Sequence, residues 1–254
     1  MTDPAAHDCR SSAGPDCWDA YFTPNGDWER NGGRRQTRTF ARCFCKAVRF
    51  DASAAFSLLD LGCALGEAIR VFHRQYPAAR LTGMDISRVA IERCRSEVGD
   101  LATFCVGGVT EVEGHYDIIY ASNVLEHFVD HQGPARALLA RCDRLCIMVP
   151  FEETDQAGNA LRPEPCEQDG GDAHHRTFLR DSFSFLIEEG LAESIDVHTM
   201  ACPGAWGSWN AMALLRHRYK NLCRRLKGKP PRPLTGSLQV IYDISRSARP
   251  LDRR

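Results

Sequence analysis

Two aspartates and two glycines hold the spacing that could do chemistry. In "FSLLDLGCALGEAIRVF", residues 56–72, Asp60 lies in an apolar run and is followed by Gly62 and Gly66. Glycine lets a backbone turn tightly and approach a ligand where a side chain would stand in the way. Asp85 ends a second apolar run, "LTGMDIS", 19 residues beyond Gly66. A carboxylate about 20 residues after a glycine turn suits a bidentate hydrogen bond to ribose hydroxyls. The competing role for Asp85 is to cap the helix beginning near Arg88, a task that Ser87 can also perform. Glycine turns and helix N-termini also cradle pyrophosphate, but the chain has no GxxxxGK[ST].

A second set of reactive side chains is histidine. His127 stands in "NVLEHF" beside Glu126, with Asn123 at its head; His131 follows, and His174 and His175 lie in a polar stretch. Imidazole is suited to taking a proton from a hydroxyl near neutral pH. For His127 the alternative is a buried, hydrogen-bonded structural role.

The elements that position these groups follow from periodicity. Short apolar runs at 57–61, 80–85, 103–106, 116–121 and 144–149 alternate with helical patterns at 67–76, 88–98 and 134–141. Strands separated by helices of about ten residues indicate βαβ units and a parallel sheet, with Asp60 and Asp85 at strand ends facing one crevice. Ahead of the sheet, Phe40, Phe44 and Val48 recur at i, i+4 and i+8 on a helix from about Arg35, a stripe that packs on the sheet. After it, residues 150–178 are too rich in Pro, Gly and charge for regular structure and read as a substrate loop. A helix over 180–189 and strands at 192–200 and 237–244 complete the pattern.

Composition narrows the function classes. A chain of 254 residues with 43% hydrophobic content buries a full core, and a net charge of -1 supplies no overall attraction to nucleic acid or anionic membrane. The exception is local: residues 216–232, "RHRYKNLCRRLKGKPPR", hold eight Lys or Arg and no acid. Such a run is a solvated helix face or a contact for anionic lipid, a phosphate-bearing acceptor or RNA. The 12 cysteines show no CxxC pair, and with several in apolar segments they read as small hydrophobes of a reduced, cytoplasmic protein. No apolar run approaches the roughly 18 residues of a membrane span, and the N-terminus lacks the apolar core of a secretion signal.

In order and spacing, "LLDLGCALGEAIRVF", "LTGMDISRVAIERC", "FCVGGVTEVEGHYDIIYASNVLEHF" and "RLCIMVPF" resemble the class I S-adenosylmethionine-dependent methyltransferases. The resemblance implies an α/β, Rossmann-like fold: a seven-stranded, mostly parallel sheet with helices on both faces and an antiparallel last strand. It implies S-adenosyl-L-methionine as cofactor, with Asp60 and the Gly62, Cys63, Ala64 and Gly66 turn at its methionine end. Asp85 would take the ribose, Ile86, Gly108 and Val109 the adenine, and Ser122 and Asn123 the methyl-donor side. Two departures stand out: Ala64 replaces a commoner glycine, which is tolerated if its φ is negative, and Gly108 replaces an acid that would accept from the adenine amino group.

The segment "GDWERNGGRRQTRTFA" resembles the lead-in helix of bacterial small-molecule and glycan-pathway methyltransferases, which closes over the cofactor; Trp28, Arg34, Gln36 and Thr37 would then reach it. Small-RNA 2′-O-methyltransferases carry E-x-x-E-H with a divalent metal; here Asn123 replaces the first acid, which removes a hard ligand, and no metal site is assigned. The chain therefore divides into a disordered arm (1–16), a helical lid (17–50), a methyltransferase core (51–200), a basic insertion (201–236) and a last strand with tail (237–254). The expected activity is methyl transfer, at oxygen, to a small molecule or glycan intermediate, phosphate-bearing or lipid-linked. His127 is the expected base. RNA methylation and a non-catalytic binding protein are the alternatives.

Overall fold

The structure, a computed structural model, describes residues 14–151, 177–202 and 237–246 together with Tyr219, Leu222 and Leu226. His174, His175 and most of the basic run lie outside the described residues. Seven strands form one sheet: β1 (Ser57–Leu61), β2 (Arg80–Asp85), β3 (Thr103–Val106), β4 (Tyr116–Ser122), β5 (Cys142–Pro150), β6 (Ala192–Cys202) and β7 (Ser237–Arg246). Their order is β3-β2-β1-β4-β5-β7-β6. β1 to β5 pair in parallel, whereas β7 runs antiparallel between β5 and β6. The sheet is thus mostly parallel with an antiparallel last strand, as the resemblance implies.

Helices α1 (Pro15–Tyr21), α2 (Asp27–Arg30) and α3 (Gly33–Ala47) precede the sheet. The crossovers are α4 (Glu67–Gln75), α5 (Arg88–Val98) and α6 (Gln132–Leu139), and α7 (Phe185–Glu188) leads into β6. Side chains alternate across each strand, so Leu58, Ile118 and Tyr120 face one apolar layer while Leu59, Leu61, Ile119 and Ala121 face the other. Phe40, Phe44 and Val48 of the α3 stripe enter the first layer, fully buried; the Phe44 and Tyr120 rings stand 4.6 Å apart.

Three expectations change. α1 begins at Pro15, inside the stretch expected to be a disordered arm: proline presets the helical φ at a first turn, and Asp16 adds an acid there. α6 starts at Gln132, two residues early, because the Asp130 carboxylate accepts from the N–H groups of Gln132 and Gly133. The helix expected over 180–189 shrinks to α7. Turn bonds from Ser182 N–H to the Leu179 carbonyl and from Ser184 N–H to that of Asp181 occupy residues 179–184. The Ser182 hydroxyl also accepts from Leu179 N–H, competing with a helix as serine does.

Candidate active site

β1 is flanked by β2 and β4, so the strand order reverses beside it, and a crevice opens beyond the carboxyl ends at such a point. Register aligns that rim: Leu61 pairs with both Met84 and Ala121, and Asp85 with Val106. Asp60, Asp85 and Ser122 consequently approach one another from three different strands.

The turn between β1 and α4 is built on left-handed backbone. Gly62 and Gly66 have φ of 75° and 72°. A Cβ at Gly62 would sit 2.4 Å from Val124 Cγ2, and one at Gly66 would sit 2.8 Å from Val98 Cγ2. Ala64 does not meet the condition of a negative φ: it is also left-handed, at 48°, a conformation that costs a non-glycine residue about 1–2 kcal/mol. Its N–H donates to Asp85 Oδ2 at 2.9 Å. Cys63, expected at the cofactor, turns inward: its N–H joins that of Gly62 on the Met84 carbonyl, and its thiol lies behind the turn against Gly83.

The two aspartates differ in satisfaction. Asp85 is buried and also accepts from Ser87 N–H at 2.9 Å. Burial pushes its carboxyl up to about 6 while the two N–H groups pull it down. The α5 cap is Ser87, whose hydroxyl accepts from Ala90 N–H at 3.0 Å, leaving Asp85 at the crevice. Asp60 is more buried still, and its Oδ2 has no hydrogen-bond partner among the described residues. Burial, with the Asp85 charge adding to it, raises Asp60 to about 8. A buried carboxylate oxygen without a donor is costly unless a ligand supplies one.

On the β2–β3 side, Ile86 and Gly108 face each other, since a Cβ on Gly108 would lie 3.1 Å from Ile86 Cγ2. Val109 is buried in the core with its side chain away from solvent. Sequence reasoning missed Glu111. Its Oε2 accepts from Gly108 N–H at 2.8 Å and lies 3.4 Å from the Cβ that Gly108 lacks. An acid therefore does stand beside position 108, brought from three residues later by a helical turn at Val109–Glu111.

At the end of β4, the Ser122 hydroxyl donates to Asn123 Oδ1 at 3.3 Å. Asn123 takes a left-handed φ of 55°, which asparagine tolerates better than most residues. Glu126 and His127 are buried, and the His127 ring meets the edge of Trp18 at 5.2 Å. His131 instead stands among Phe178 and Phe183, its Nε2 3.0 Å from the Ser182 carbonyl, away from the crevice. No group of three or more metal-type ligands occurs among the described residues.

The second feature missed is the seat of α1 on the glycine turn; most of this helix falls in the expected helical lid. Trp18, Tyr21 and Phe22 pack on Ala64, Leu65 and Ala90, and Asp19 accepts from Ser87 hydroxyl at 2.6 Å and Val89 N–H at 3.1 Å. The available signal was "DCWDAYF", an acid between aromatics. Trp28 and Arg34, expected at the ligand, are used elsewhere. Trp28 lies against Gly33, where a Cβ would come within 2.3 Å of its ring. Arg34 pairs with Glu29, Glu67 and Glu97 at 2.7, 2.8 and 2.8 Å. Gln36 and Thr37 are half-buried early in α3.

No helix among the described residues is long and apolar enough to cross a membrane. Against solved structures, the fold matches the plantazolicin methyltransferase BpumL in complex with SAH, with a TM-score of 0.53, 17% identity and coverage of 91% of this chain and 90% of that one. It also matches magnesium protoporphyrin IX methyltransferase from Synechocystis PCC 6803 with bound SAH, at 0.54, 14%, 89% and 90%, and the [4+2]-cyclase SpnF, at 0.55, 14%, 82% and 80%. In sequence, the chain is 28% identical over 147 residues to trans-aconitate 2-methyltransferase of Enterobacter sp. (strain 638), covering 54% of this chain and 55% of that protein. With the enzyme of the same name from Escherichia coli O1:K1 / APEC it shares 34% over 76 residues, 29% and 30% of the two chains. The chain thus spans about half the length, or less, of these curated relatives. A methyltransferase-domain family model matches residues 28–190, more than half of the chain, and the chain belongs to that family, the class I S-adenosylmethionine-dependent methyltransferases.

Proposed function

We propose that this protein transfers a methyl group from S-adenosylmethionine to an oxygen of a small-molecule acceptor. The observation that carries the donor's placement is Asp60: a buried carboxylate oxygen without a donor among the described residues, at the reversal of strand order, one turn from a glycine-bearing helix start. Such a group fits the ammonium of an amino-acid ligand, which would supply the missing hydrogen bond and neutralise the charge. Gly62 to Gly66 bring the backbone up to the adjoining carboxylate, and Asp85 retains lone pairs for the ribose hydroxyls. Ile86, Gly108 and Val109 bound the adenine. Glu111 accepts from its amino group in place of the acid missing at 108. Ser122 and Asn123 line the methyl side, and Gln36 and Thr37 approach from α3.

The donor, when bound, supplies a methyl group activated on a sulfonium. The chain's part is then alignment, which can be worth up to about 7–11 kcal/mol without a base. The aromatic face of α1 excludes water, and His127, beside Trp18, is the proposed base for a hydroxyl acceptor. A carboxylate acceptor needs no base. The names of the trans-aconitate 2-methyltransferases support a small organic acid ahead of a glycan intermediate, whether phosphate-bearing or lipid-linked. RNA is the second reading, and it rests on residues 216–232.

Calorimetry with S-adenosylmethionine and S-adenosylhomocysteine tests the donor half: saturable binding of both is expected, and none at millimolar concentration would sink the reading. A radiolabelled-methyl screen of di- and tricarboxylic acids, hydroxylated metabolites, sugar phosphates and RNA tests the acceptor half. Label is expected in the acids; label in RNA alone, with binding that falls steeply with salt, selects the second reading.

A further inference from the structure

The donor turn contains a residue that should resist its conformation. Ala64 is left-handed at 48°, and both of its backbone polar groups are held from β2 and α5. Its N–H donates to Asp85 Oδ2 at 2.9 Å, and its carbonyl accepts from the Cys94 thiol at 3.1 Å and, more distantly, from the Cys63 thiol at 3.9 Å. Cys94 is fully buried in α5, and its Sγ lies 3.3 Å from where a Cβ on Gly66 would be. The sulfur is therefore wedged behind the turn, on the face opposite the crevice.

The remaining N–H groups of the turn are engaged inward. Gly62 and Cys63 donate to the Met84 carbonyl, and Gly66 donates to the Cys63 carbonyl. Among the described residues, only Leu65 N–H of the turn residues 62–66 meets no acceptor. That N–H belongs to the same planar peptide as the Ala64 carbonyl, and in a trans peptide the two point in opposite directions. A thiol that fixes the carbonyl behind the turn fixes the N–H in front of it.

We infer that Cys94 is a positioning residue for donor binding: by holding the Ala64 carbonyl it aims the Leu65 N–H at the carboxylate of the donor's amino-acid end. This rests on the donor placement proposed above. The alternative is that Cys94 is only a small apolar filler behind a glycine, the usual fate of a buried cysteine.

Two probes separate these roles. S-adenosylhomocysteine carries the amino-acid carboxylate; 5′-methylthioadenosine keeps the adenosine and thioether and lacks it. For Cys94→Ala, S-adenosylhomocysteine affinity is expected to fall about fivefold, the effect of one modest hydrogen bond, with 5′-methylthioadenosine affinity unchanged. Cys94→Ser keeps a donor and is expected to restore most of the loss, whereas Cys94→Val fills the space without a donor and should behave as Cys94→Ala. If Cys94→Ala does not fold, Cys94→Val against Cys94→Ser carries the test. Equal weakening of both probes, or no weakening of either, overturns the inference. Failure of the wild-type protein to bind either probe overturns instead the donor placement.

Discussion

One group of carboxylates sits on α2, α4 and α5 and another at the ends of β1 and β2, and Glu29 of the first and Asp60 of the second are displaced in opposite directions. On the outer side, Glu29, Glu67 and Glu97 interlock with Arg34 and Arg93 at 2.7 to 3.1 Å. There the hydrogen bond from Arg93, helped by Arg34, draws Glu29 down to about 2 against the opposing effect of burial. On the crevice side, Asp60 meets no arginine among the described residues and rises to about 8 through burial and the nearby Asp85. Every outer charge meets its opposite within the protein, which fastens α2 and α3 to the core. Among the described residues the inner carboxyl has none, and a cation-bearing ligand would favour its ionised form.

The largest expected effect tests that contrast through pH. A carboxylate raised in the folded state contributes stability that is fully present below its unfolded value, near 3.8, and is lost as pH rises through the folded value, about 8. Glu29 works the other way: its contribution is present above about 4.5 and is lost as pH falls toward 2. The ligand-free protein should lose stability from pH 5 to pH 8 at up to about 1.4 kcal/mol per pH unit from Asp60. Asp60→Asn should flatten this alkaline slope in urea titrations and leave the acid limb; Glu29→Gln should do the reverse. An unchanged alkaline slope in Asp60→Asn would remove the unpaired charge from the comparison.

Asp85 comes next. It is held by two N–H groups, so its loss both loosens Ala64 and removes the proposed ribose acceptor. Asp85→Ala should weaken S-adenosylhomocysteine by about a hundredfold, the usual size for one partner of a buried charged hydrogen bond. An unchanged affinity by calorimetry would refute the ribose assignment.

What was legible in the sequence follows the same division. The runs at 57–61, 80–85, 88–98 and 103–106 match β1, β2, α5 and β3 residue for residue, because short apolar runs bounded by turn residues and a longer helical pattern mark βαβ units. The crevice was legible because backbone geometry demanded glycine at fixed offsets and a carboxylate at a strand end. The sign of Ala64's φ was not, since it depends on Asp85 and Cys94, 21 and 30 residues away. Glu111 was hidden by the same kind of nonlocality on a smaller scale: a helical turn brings an acid three residues later in the chain beside Gly108. Arg34 was assigned to the ligand because an arginine near a lid has no address in sequence; its three partners lie 5, 33 and 63 residues away.

The smallest expected effect concerns that arginine and sets the limits of the outer group. Arg34 is 22% exposed, but its partner Glu67 is only 4% exposed, so removing Arg34 strips one partner from a buried acid. Arg38 at 3.0 Å remains and offsets part of the loss. Arg34→Ala should therefore cost about 1–2 kcal/mol of stability, between the values for exposed and buried pairs. S-adenosylhomocysteine affinity should change less than about twofold, since breaking a pair distant from the ligand removes no contact made to it. A matched loss of affinity and stability would mean that α3 transmits its docking to the crevice through Gln36 and Thr37. The outer latch and the inner site would then be one cooperative unit, divided in charge but not in function.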